Sequence, residues 1–68
     1  MNETLRKRLD GVYEEKLGGS WLAEYSEAAD TGLWTAAVYK HAVSEWHGHG
    51  YASLEGARRA VREYYDAL

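Results

Sequence analysis

The 68-residue sequence contains no cysteine, no proline and no phenylalanine. Without cysteine there are no disulfides, no thiolate metal sites and no thiol nucleophile. No run approaches the ~18 uninterrupted apolar residues that a membrane-spanning helix needs. The opening residues MNETLRKRLD lack the apolar stretch of an export signal, so the expected setting is cytoplasmic. The formal net charge is only −3, which argues against bulk electrostatic adsorption to nucleic acid or to an anionic membrane. The missing phenylalanine has a further consequence. All nine aromatic residues, three Trp and six Tyr, carry a polar tip.

Apolar residues make up 46% of the chain and charged residues 28%, a globular balance that implies one domain over residues 1–68. A domain of ~60 residues buries only about 60% of the surface its unfolded chain exposes. Small chains without disulfides commonly add a metal, a partner or a second subunit.

With no proline, the glycines punctuate the chain and divide it into four segments. In the first, Leu5, Leu9, Val12, Tyr13 and Leu17 recur at i, i+4, i+7, i+8 and i+12, an amphipathic helical stripe. Asn2 is its candidate cap, Gly18 its stop, and Glu3–Lys7 and Arg6–Asp10 its outer pairs. Gly11 in its middle costs about 1 kcal/mol relative to alanine. The second segment, capped by Ser20, carries Trp21, Leu22, Tyr25, Ala28 and Ala29. The third, entered at Asp30 or Thr31, spreads Trp34, Val38, Tyr39, Ala42, Val43 and Trp46 over a wide apolar arc. The fourth begins at Ser53 and presents Leu54, Ala57, Val61, Tyr64, Tyr65 and Leu68 on one face. Glu55–Arg59, Arg59–Glu63 and Arg62–Asp66 lie at i, i+4 on the other. The expected fold is therefore all-α, with helices near 3–17, 20–30, 32–47 and 53–67 around one small core.

Catalysis has little support. Ser20 and Ser53 read as caps, and there is no G-x-S-x-G, phosphate-cradling glycine loop or H-E-x-x-H. So short a chain also leaves little room for a water-excluding substrate pocket, so neither an enzyme nor a small-molecule substrate is expected. His41, His47 and His49, with Glu45 among them, are residue types that bind zinc or nickel. His41 and Glu45 would be one helical turn apart, but the WHGHGY exit matches no strong metal signature, and no cofactor is expected.

Two binding readings remain. Segment three, a glycine-containing connection and the Arg-bearing segment four resemble the second half of a helix-turn-helix unit, with Arg58, Arg59 and Arg62 facing nucleic acid. The connection from His47 to Ala52 is longer than the usual turn, and Glu55, Glu63 and Asp66 balance those three arginines. The favoured reading is a regulatory or adaptor protein acting on a protein partner or as a homodimer. Trp and Tyr are the residues that most often anchor such interfaces. On helical wheels Tyr13, Trp21, Tyr25 and Trp34 fall in the core. Trp46, Tyr51, Tyr64 and Tyr65 are the candidates for a contact surface.

Overall fold

A computed structural model describes residues 5–68, and their architecture is not the expected one. Five antiparallel strands, β1 (Leu5–Lys7), β2 (Tyr13–Gly18), β3 (Trp21–Glu27), β4 (Trp34–Lys40) and β5 (Val43–Tyr51), form a meander in the order β1-β2-β3-β4-β5. One helix, α1 (Leu54–Asp66), follows and lies across β3, β4 and β5. The segments expected as helices at 3–17, 20–30 and 32–47 are strands and turns, and only the helix expected at 53–67 forms. The all-α bundle is thereby replaced by a two-layer α/β arrangement. Asn2 and Glu3, assigned to the first helix, lie outside the described residues.

Strand formation follows from local composition. WTAAVYK carries Trp, Tyr, Thr and Val, which fit a pleated surface better than a helix, whereas WLAEYSE contributes only its Trp and Tyr. Their side chains alternate. Trp21, Ala23 and Tyr25 face α1 together with Trp34, Ala36 and Val38, while Leu22, Glu24 and Ser26 share the opposite face with Thr35, Ala37 and Tyr39. Gly11, Gly18, Gly19 and Gly32 stand at the ends of strands or in the turns between them and do not terminate helices, whereas Gly48 and Gly50 lie within β5. Gly11, unfavourable inside a helix, adopts φ +88° in the β1–β2 turn, where its N–H donates to the Arg8 carbonyl at 3.0 Å. Ser20 sits in the β2–β3 turn, and Thr31 accepts a hydrogen bond from the Leu33 N–H at 3.2 Å in the β3–β4 turn.

Small residues set the distance between the layers. Ala23, Ala36, Val38 and Tyr25 from the sheet meet Ala57 and Val61 from α1, all essentially inaccessible to solvent. Alanines in both layers bring the helix close to the strands, and the larger aromatics pack around this centre. Ser53 caps the helix by accepting the Gly56 N–H at 3.1 Å. Arg58 and Arg62 reach down to Glu15 of β2, and Arg58 also lies 3.6 Å from Glu55 on its own helix.

Among the described residues, Glu15 is the one buried charged residue, at 3% exposure. Its carboxylate accepts the Tyr25 hydroxyl at 2.7 Å and Arg58 Nη2 at 3.0 Å, with Arg58 Nε at 3.4 Å. Burial pushes this carboxyl up, but the hydrogen bonds from Arg58 and Tyr25 and the positive charge of Arg58 outweigh it and hold the group below the ordinary glutamate value. The same burial, with Glu15 beside it, pushes the Tyr25 hydroxyl well above its ordinary value. Glu15 thus ties β2, β3 and α1 together at one point.

Candidate functional site

The four aromatic residues expected to form a contact surface lie on the helix side of the sheet, at the margin of the core. Trp46 stacks on Tyr64 with centroids 5.3 Å apart. Tyr65 meets Trp21 edge-on at 5.7 Å. Tyr51 lies over Gly48, where any Cβ would collide with its ring and with Trp46. Tyr13 and Trp34 form a third pair at 5.8 Å. Tyr25 is fully buried and the other aromatics are half-buried, so they do not divide into a core set and a surface set. Their rings roof the core of a thin two-layer domain while their polar tips reach toward solvent.

The nucleic-acid candidates are also redistributed. The residues before α1 form β5 and not a scaffold helix, so the helix-turn-helix unit is not formed. Arg58 is committed to Glu15, and Arg62 lies 3.6 Å from the same carboxylate. Arg59 is exposed on the helix exterior. The histidine group separates as well. His41 occupies the β4–β5 turn, and Glu45 lies at a register irregularity of β5. His47 and His49 point together from the middle of that strand. Among the described residues, no group of three or more His, Asp or Glu side chains is placed to hold a metal ion.

The helix covers one face of the sheet and leaves the other open. Cross-strand register arranges the open face in three rows. Arg6, Glu14, Glu24, Ala37 and His47 form the first. Ser26, Thr35 and His49 form the second, and Lys16, Leu22, Tyr39 and Ser44 the third. Ala37 is the short residue between Glu24 and His47, so the surface dips there. The dip is a depression of about 430 Å³ bounded by Glu24, Tyr39, His47 and His49, with the Ser26 and Thr35 hydroxyls alongside. A second depression of about 400 Å³, lined by Ser20, Leu22 and Ala42, shares Glu24 and Tyr39 with the first. Together they make a trough across β3, β4 and β5. Tyr39, which wheel analysis placed within a helical arc, is the aromatic residue of this face.

Charges on the open face neutralise one another. Arg8 donates to Asp10 at 2.8 Å and to Glu24 at 2.8 Å, Arg6 pairs with Glu14, and Lys16 stands free at the surface. Hydrogen bonds from the Arg8 guanidinium and the Val12 N–H hold the Asp10 carboxyl below its ordinary value. Three cations, Arg6, Arg8 and Lys16, are thus matched by Asp10, Glu14 and Glu24. The two hydroxyls of the trough bond to each other, Ser26 Oγ to Thr35 Oγ1 at 2.8 Å, and not to a base that would activate a nucleophile. The trough thus presents a small apolar floor with hydroxyls and imidazoles at its rim.

Among the described residues, no helix is long and apolar enough to cross a membrane. Comparison of the chain with protein-family models, with curated proteins and with solved structures returns no match.

Proposed function

We propose that this chain is a small non-catalytic protein-binding module that meets its partner with the open face of its sheet, around Ala37, Tyr39 and His47. The observation that carries this reading is the trough itself. It is a concave, nearly neutral surface with an apolar floor, on a sheet face that the fold does not need for its core. The helix-side aromatics support the same assignment by their location, because they are engaged in holding α1 to the sheet. A neutral polypeptide segment fits the trough better than nucleic acid, since Arg6, Arg8 and Arg58 are paired with carboxylates and offer little uncompensated positive charge to phosphates. A regulatory or adaptor role in the cytoplasm belongs to this reading.

The test replaces the floor of the trough with a long cation. Ala37→Arg projects from the open face and leaves the helix side untouched, so folding by circular dichroism is retained. A protein partner recovered with the wild-type chain is expected to bind Ala37→Arg at least ~10-fold more weakly, about 1.4 kcal/mol. Equal binding to both chains, or binding to random duplex DNA that weakens steeply with added salt, overturns the reading.

A further inference from the structure

The two edges of the sheet are built differently. β1 is three residues long and carries Arg6 and Lys7, a short charged edge of the kind that discourages pairing with another chain. β5 is nine residues long and contains neither proline nor a basic residue of the lysine or arginine type. Among the described residues, its ladder is to β4 alone, and no turn or helix backbone bonds to it. The register irregularities of β5 fall near Glu45 and Gly50, leaving Trp46 to His49 as a regular run between them. The outward N–H and C=O groups of that run are available to another strand.

The same run carries the HGH motif. His47 opposes Ala37 and His49 opposes Thr35, so both imidazoles project from the open face, about 6.7 Å apart along the strand, and both are exposed. Two imidazoles form half of a four-ligand set, and the described residues of the chain supply no third group to the site. A second copy pairing antiparallel along β5 supplies the rest. A two-fold axis at Gly48 sets each His47 opposite the other chain's His49, which brings all four imidazoles to one place on the open face. Side chains directly opposite across such a pair are about 5 Å apart at Cβ, within reach of one metal ion.

We propose that two copies of this chain join through β5 and that His47 and His49 of both hold a zinc- or nickel-type divalent ion at the join. The ion supplies what so small a core lacks, and the pairing extends the sheet across both copies. This assignment does not rest on partner binding in the trough, although it draws on His47 and His49, which also bound that trough.

Sedimentation of the full chain tests it, in chelator and with zinc or nickel chloride. In chelator the expected species is the 7.7 kDa monomer. With metal the mass doubles, at one ion per two chains. The double variant His47→Ala/His49→Ala keeps its circular dichroism spectrum and stays monomeric with metal, whereas His41→Ala doubles as the wild type does. Three results overturn the proposal: a monomer at every metal concentration, a dimer that forms equally well in chelator, or a metal-dependent dimer of the double variant.

Discussion

Replacing Glu15 by glutamine keeps its shape and removes its charge. Arg58, whose side chain is 29% exposed, then faces a neutral amide, and the Tyr25 hydroxyl loses its ionised acceptor. Removing one partner of a buried ion pair costs about 3–5 kcal/mol. Because Arg58 partly reaches water, the cost falls to the bottom of that range or just under it, about 2–3 kcal/mol. At ~0.05–0.15 kcal/mol per residue, a chain of this size holds about 3–10 kcal/mol of total stability, so the change is a large fraction of it. Thermal unfolding followed by circular dichroism should show Glu15→Gln melting about 10–20 °C below the wild type at pH 7. The pH dependence separates the charge from packing. The folded-state pKa of Glu15 is depressed, so its contribution is complete above the unfolded value of about 4.3 and disappears as pH falls through the folded value. The two melting temperatures should therefore draw together as pH falls below the unfolded value and meet once it is under the depressed folded value, where protonated glutamate and glutamine are nearly isosteric. A gap that stays constant from pH 7 to pH 3, or one of less than ~3 °C at neutral pH, refutes the assignment of Glu15 as the ionic tie between sheet and helix.

Two further changes test the turns and the roof of the core. Ala42 adopts φ +65° beside His41 at φ +52° in the two-residue β4–β5 turn, a conformation that disfavours side chains with a Cβ. Ala42→Gly should relieve about 1 kcal/mol and raise the melting temperature by ~4–8 °C, and an unchanged or lower value contradicts that geometry. Gly48→Ala drives a methyl group into the Tyr51 ring and should cost about 1–3 kcal/mol in urea unfolding, with Tyr51→Ala restoring tolerance to the added methyl.

The spacing of apolar residues explains which parts of this fold were legible and which were not. Trp21 and Tyr25, or Trp34 and Val38, are four residues apart, and an i, i+4 pair shares one face in a helix and in a strand alike. The discriminating positions are i+2 and i+3. At i+2 stand Ala23 and Ala36, both buried beneath α1, yet alanine adds little weight to a hydrophobic pattern and is the best helix former. At i+3 stand Glu24 and Ala37, which a helix would place beside the tryptophans and the sheet turns to the other side. In the first segment Leu9 completes the apparent helical stripe but lies fully exposed in the β1–β2 turn. Of the aromatic candidates, Trp46 and Tyr51 stand in β5, where a helical wheel does not describe which side a residue takes, whereas Tyr64 and Tyr65 stand in α1, where it does.

The C-terminal helix was determined by the sequence itself. Leu54, Ala57, Val61 and Tyr64 are separated by three, four and three residues; the two steps of three would put neighbours on opposite faces of a strand, and Ser53 stands where the cap must be. Composition alone likewise set an aromatic population with polar tips and a chain without thiols. Strand pairing was decided elsewhere, by contacts between residues far apart in the chain, as when Glu15 meets Arg58 and β4 finds β5 on one side and β3 on the other. The open trough and the unpaired β5 edge are products of that pairing, because a face or an edge exists only once the strands have chosen their neighbours.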